Sequence, residues 1–189
     1  MNEVERDGAN GHGERVRVTR TYLTMAAPSQ LRMGASPDVD AAWIRIHRCS
    51  VQQWRALYRD IGGPWHWHDR DAWSDERLAE HLSRDAVRIF RLEAMLPSGV
   101  LPAAGFVELE AHADGSVEIS YLGIDQRAHG LGLGRFIVAR ATEEAWAMSP
   151  ARVWLHTCTL DGVVALPNYL ARGFEIERTE GYDAVITTR

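Results

Sequence analysis

Between a stretch that alternates like a strand and a stretch that repeats like a helix, the chain carries His129-Gly130-Leu131-Gly132-Leu133-Gly134-Arg135. Three glycines at every second position, followed directly by Phe136-Ile137-Val138-Ala139, constrain the fold more than any other segment. A glycine-rich turn that opens a helix aims bare backbone N–H groups at one spot, where the helix dipole also favours negative charge. The expected guest is a phosphate group.

Two well-known phosphate loops can be compared with these letters. The dinucleotide fingerprint requires Gly-x-Gly-x-x-Gly and an acidic residue about 20 positions on. Here the third position after Gly132 is Arg135, and the third after Gly134 is Ile137. The nucleoside-triphosphate loop requires Gly-Lys-Ser/Thr, so that an ammonium reaches the terminal phosphates and a hydroxyl holds magnesium. The chain offers Gly134-Arg135-Phe136, and all 21 of its basic residues are arginine. A loop with neither lysine nor hydroxyl suits a diphosphate that is held and not cleaved. Coenzyme A carries one.

At 189 residues the chain fits one domain, large enough to bury a core without disulfides. Its formal charge of −5, with both signs interspersed, argues against a nucleic-acid-binding face. Cys49 and Cys158 match no metal-ligand spacing and read as small apolar residues in a reducing, cytoplasmic setting. Residues 1–15 hold many charges and almost no apolar content, so a disordered tail is expected there, with a single domain over residues 16–189. No stretch reads as a signal peptide or approaches the roughly 20 apolar residues of a membrane span.

Along the chain, Val16 to Met25 alternates like a first strand. From Val39 to Ile61, Ala42, Ile46, Trp54, Leu57 and Tyr58 recur at three-to-four spacing, predicting one or two helices that end at Gly62-Gly63-Pro64. Ser74-Asp75-Glu76-Arg77 should cap a short helix to about Ser83. Three strands follow, over Val87–Met95, Ala103–Ala111 and Ser116–Ile124, the last two joined by a hairpin at Asp114-Gly115. Strand alternation in the third puts Glu118 and Ser120 on one face and Ile119 and Tyr121 on the other. The helix after the glycine loop should stop at Ser149-Pro150, and Val153–Leu160 reads as a strand. Asp161 is expected to cap a helix through Ala171, with Gly173 as its left-handed terminator and one or two strands over Phe174–Thr187. This order predicts an α/β (α+β layered) domain.

Read outward from the loop, the chain resembles the GNAT superfamily of acetyl-coenzyme A-dependent N-acetyltransferases. Three ordered motifs carry the likeness. They are the strand Val117-Glu118-Ile119-Ser120-Tyr121-Leu122-Gly123-Ile124, the glycine loop, and Asn168-Tyr169-Leu170-Ala171-Arg172-Gly173-Phe174. The segments Trp65–Leu82 and Arg152–Asp161 resemble one bacterial branch of the family. The resemblance implies a central mixed, mostly antiparallel sheet of about six to seven strands flanked by helices on both faces. It also implies acetyl-CoA as co-substrate, no metal, and a small-molecule amine as acceptor. The loop departs from the family pattern of Gln or Arg, two residues, Gly, one residue, then Gly or Ala. Keeping four residues after Ile124 places His129 at the Gln/Arg position with Gly132 and Gly134 as its glycines. A shorter register would use Arg127, Gly130 and Gly132.

Acyl transfer to an amine needs a base, a proton donor for the departing thiolate, and polarisation of the thioester carbonyl. The family carries a glutamate base in the context of Glu118. His156 is the rival, because an imidazole titrates near neutral pH without help. Tyr169, five residues before Phe174, matches the family's proton donor to sulfur, and a phenol with a pKa of about 10 remains protonated at neutral pH. By the same resemblance, the backbone of Leu122, Gly123 and Ile124 would hold the pantetheine arm. The loop residues His129, Gly130, Leu131, Gly132, Leu133, Gly134 and Arg135 would hold the diphosphate, with Asp161 or Asn168 touching the cofactor. Pro64-Trp65-His66-Trp67-His68-Asp69-Arg70 concentrates aromatic and imidazole groups where an acceptor would bind, so Trp65, His66 and Trp67 are the candidate walls. A His66/His68 metal site has no Cys or further His nearby in the sequence to complete it. Two other functions stay open at this point, a protein or peptide acceptor and a non-catalytic acyl-CoA-binding module. The oligomeric state is open too, a homodimer being one outcome.

Overall fold

In the computed structural model, which describes residues 14–186, seven strands form one open sheet. They are β1 (Glu14–Met25), β2 (Ala41–Ile46), β3 (Val87–Leu96), β4 (Gly99–Ala111), β5 (Ser116–Ile124), β6 (Arg152–Cys158) and β7 (Glu175–Ile186). Their order is β2-β3-β4-β5-β6-β1-β7, and every neighbouring pair is antiparallel except β5 and β6. Four helices cover it: α1 (Val51–Gly62), α2 (Asp75–Ser83), α3 (Leu133–Trp146) and α4 (Ala165–Ala171). The expected tail lies almost wholly outside the described residues, and β1 already includes Glu14 and Arg15.

Two cores form, one on each face. Ile137, Val138, Ala141 and Ala145 of α3, with Tyr169 of α4, pack against Leu23, Leu109, Ile119 and Leu155. On the other side Trp54, Tyr58 and Ile61 of α1 and Leu78 of α2 cover Ile89, Phe106 and Tyr121. A sheet buried on both faces needs apolar side chains in both directions, and β4 accordingly reads as a nearly continuous buried run from Ala104 to Leu109.

Three local readings need correction. Residues 39–61 are not helical throughout, because Ala41–Ile46 is an edge strand paired with β3, and Trp43 stacks on Phe90 at 4.9 Å. Pairing to a sheet outweighs a spacing that fits both periods. The helix begins only at Ser50, whose hydroxyl accepts from Gln53 N while the Gln53 side chain accepts from Ser50 N. Asp161 does not cap α4, which starts after Val164. Its carboxylate closes the end of β6 instead, accepting from the Thr157 hydroxyl and from Cys158 N. Finally, Ile119 and Tyr121 do not share a face. The register of β5 against β4 shifts between Glu108/Tyr121 and Leu109/Ile119, leaving Ser120 as an extra residue. Such a bulge breaks the alternation, so Ile119 joins the α3 core and Tyr121 the α1 core.

Candidate active site

The bulge matters because of what happens beside it. β5 and β6 pair in parallel only over Ser116/Arg152, Val117/Val153 and Glu118/Trp154. Beyond Glu118 the two strands part, and a cavity of about 730 Å³ occupies the gap. Ile119 to Ile124 line one wall, and His156, Cys158, Leu160 and Asp161 line the other. Backbone groups of β5 that would have continued the ladder to β6 are left facing this space.

One end of the cavity is the start of α3. Gly132 is its N-cap with φ +70, and no side chain caps it, so its first-turn N–H groups have no partner from a cap. Gly130 and Gly134 line the cavity. Gly134 is helical, and a Cβ built there would meet nothing closer than the Asn168 amide nitrogen at 3.7 Å. Neither backbone geometry nor a neighbouring side chain calls for glycine, which costs a helix roughly 1 kcal/mol against alanine. Space reserved over open amides fits a diphosphate, and the residues present therefore fit coenzyme A.

Not every loop residue faces that space. Leu133 is buried in the α3 core, and Leu131 O accepts from Asp38 N at 3.0 Å. Arg135 turns away and donates from Nε to Ala35 O at 3.0 Å and from Nη2 to Ser36 O at 2.8 Å. These three, with Gly132, hold the loop in place and do not line the cavity. His129 does line it, its ring 3.3 Å from Ile124 O through Nε2 and stacked against Trp65. Asn168 donates to Gly134 O at 2.9 Å, tying α4 to the start of α3. Trp65 also packs over Gly162, so its ring spans from the glycine loop to the loop after β6.

The candidate chemical groups separate clearly. Tyr169 lines the cavity, and burial, reinforced by the charge of Asp161, holds its phenol above the usual range. It is a proton donor throughout the neutral range. His156 lines the same cavity, where burial and then the positive charge of Arg20 lower its pKa, so the imidazole is neutral at pH 7. Glu118 lies outside the cavity walls. It sits beyond the fork on the paired part of β5, 3.0 Å from His112 Nε2, and burial raises its pKa. His66 and Trp67 line the cavity, whereas His68 Nδ1 bonds Asp71 at 2.7 Å, so the two histidines do not converge. Trp67 is mainly a packing residue, wedged against Gly123, Tyr58 and Tyr121.

Sequence reasoning missed Arg20 on β1, Tyr182 on β7, Ser120 at the bulge and Asp69, all of which line the cavity. Arg20 and Tyr182 belong to strands whose contribution depends on β1 inserting between β6 and β7, a pairing with no local signature.

Comparison with known proteins agrees with this architecture. The family model described as Acetyltransferase (GNAT) family matches residues 52–174. No curated protein sequence matches the chain. Among solved structures, a GCN5-related N-acetyltransferase from Kribbella flavida superposes with a TM-score of 0.60 at 21% identity, covering 94% of this chain and 62% of its own. A GCN5-related N-acetyltransferase from Sphaerobacter thermophilus gives 0.62 at 13% identity, covering 93% and 54%. An aminoglycoside acetyltransferase from an uncultured soil metagenomic sample gives 0.54 at 14% identity, covering 70% and 86%. The chain thus spans less than two thirds of the first two proteins, and these likenesses speak to the fold.

Proposed function

Because the chain belongs to the acetyltransferase (GNAT) family, we propose that it transfers an acetyl group from acetyl-coenzyme A to the primary amine of a small molecule, by direct attack with both substrates bound. The observation that carries this reading is the fork between β5 and β6, which brings a neutral imidazole, a protonated phenol and open backbone amides to one cavity.

Each residue then has a task. The open N–H groups at the start of α3 and the bare backbone at Gly134 receive the diphosphate. Leu122, Gly123 and Ile124 offer main-chain groups to the pantetheine arm and polarise the thioester carbonyl. His156 takes one proton from the incoming ammonium and passes it to solvent. The freed amine forms the C–N bond at the carbonyl carbon, and the C–S bond breaks with its electron pair on sulfur. Tyr169 gives its proton to that sulfur, and the second nitrogen proton, shed as the amide forms, restores the phenol through solvent. His156 is preferred to Glu118 as base because it lines the cavity and Glu118 does not.

Release of free coenzyme A, followed against a panel of amines, amino acids and peptides, tests the proposal. Turnover of at least one small amine well above thioester hydrolysis is expected. Peptides outperforming every small amine would make the acceptor a protein. Coenzyme A raising the melting temperature with no acceptor turned over would leave a binding module only.

A further inference from the structure

The acceptor end of the cavity carries charges whose pairing is incomplete. Arg20 lies on β1 directly opposite Cys158 of β6, and His156 is two residues along the same strand on the same face. On the other side of β1, Arg20 faces Glu180 of β7, which stands 3.6 Å from its Nη1. That carboxylate already accepts from the Tyr22 hydroxyl at 2.8 Å and from Arg178 at 2.9 Å. Arg20 Nε is buried and, among the described residues, has no hydrogen-bond partner. Its guanidinium also lies 4.9 Å from the centre of the Tyr182 ring, on a side chain that keeps 28% of its surface exposed, so its outer N–H groups are open to an anion.

Asp69, from the loop between α1 and α2, lines the same cavity and is exposed, with no ion pair among the described residues. The acceptor end thus holds a positive group on its sheet side, a negative group on its loop side and the neutral His156 ring between them. Resting on the acyl-transfer reading above, we propose that the acceptor is a zwitterionic amino acid, its ammonium held between Asp69 and His156 and its carboxylate taken by Arg20. Diagonal neighbours on adjacent strands lie about 7–8 Å apart. An arginine side chain spans that separation, leaving room for an amine and a carboxylate a few bonds apart. Arg20 also acts against polycationic acceptors, since a second ammonium would meet its guanidinium, while the rings of Trp65 and Tyr182 on the cavity wall suit an apolar side chain.

The test compares each L-amino acid with its amide, which keeps the amine and removes the negative charge, using acetyl-coenzyme A and the full chain. The acids should surpass the amides in kcat/KM by roughly tenfold to a hundredfold, the usual worth of a charge-assisted hydrogen bond. The difference should lie mainly in KM. Arg20→Gln should erase the discrimination, Arg20→Lys should restore part of it, and Asp69→Asn should raise KM for acid and amide alike. In parallel, melting temperatures with coenzyme A present should rise further with the acids than with the amides in the parent protein, and equally with both in Arg20→Gln. Coenzyme A binding without any preference for acids, in turnover or in melting, overturns the proposal and leaves the acyl-transfer reading standing. Equal discrimination by the parent and Arg20→Gln overturns it as well. If coenzyme A itself produces no shift and no acceptor is turned over, both readings fall together.

Discussion

Two clusters of charge lie on the same face of the sheet, and they are built on opposite plans. In the first, Glu108 is fully buried yet ionised. Burial opposes its charge, but the His81 hydrogen bond and the Arg70 charge outweigh that penalty and hold its pKa low. Arg70 Nη1 lies 2.6 Å from Glu108, His81 Nε2 lies 2.9 Å away, and Trp54 Nε1 donates at 2.6 Å. The rings of Trp54, Trp73 and Tyr121 enclose the guanidinium. In the second cluster, around the fork, the Arg20 Nε and the Ser120 hydroxyl are buried without partners, and Asp69 is unpaired among the described residues. Where every buried polar group is answered within the chain, the cluster holds structure. Where groups are left unanswered beside a cavity, they await a ligand. The first cluster also serves the second, since Arg70 anchors the loop that carries Trp65, His66 and Asp69.

The largest effect should come from breaking the satisfied cluster. Arg70→Ala leaves Glu108 buried with only His81 and Trp54 as partners, and should cost about 3 kcal/mol in denaturant unfolding. Replacing Arg70, His81 and Glu108 together with apolar residues of similar size should cost less. Because the pKa of Glu108 is depressed, its stabilising share is present above the unfolded carboxylate value of about 4.3 and is lost as pH falls through its lower folded value. Acid titration of Arg70→Ala should therefore show a weaker loss of stability in that window than the parent.

Next in size is Tyr169→Phe, expected to lower kcat about a hundredfold, the lower end of what a positioned proton donor contributes. The melting temperature should move little, because the ring packing on Phe174 is retained. A comparable loss is expected for His156→Gln. In the parent, the acid limb of kcat/KM should fall below pH ~6.5, since the base must be neutral and its pKa is lowered. An acid limb above that value would point away from His156.

Gly134→Ala sharpens the contrast differently. No protein atom opposes the added methyl, so the free protein should gain about 0.5–1 kcal/mol in thermal unfolding. Coenzyme A binding, read by calorimetry, should weaken, because the methyl occupies space over the open amides. A variant that gains stability and binds unchanged would remove the ligand explanation for this glycine. Smallest of all should be Glu118→Gln, expected to change kcat less than about threefold, since Glu118 does not line the cavity and is held by His112 instead.

Much of this was legible in the letters. The glycine loop, its strand and helix, the hairpin at Asp114-Gly115, the Ser74 cap and the αL terminator at Gly173 are written within short windows, because turns, caps and alternation are local physics. Tyr169 could be singled out only through the resemblance of Asn168–Phe174 to the family's motif. Residues 41–46 were less so, since Ala42 and Ile46 satisfy a helical spacing until β3 offers a partner.

By itself the amino-acid sequence determined most of the order of elements, an α/β layered domain and a glycine-rich start to α3, through patterns that repeat every two or about four residues. Only the tertiary structure decided that β5 and β6 part after Glu118. That fork moves the paired Glu118 away from the cavity and gathers His156, Arg20 and Asp69 from three distant segments around it. Strand partners as far apart in the chain as Arg20 and Cys158 meet through long-range pairing and core packing, and nothing in a local window records who the neighbour will be.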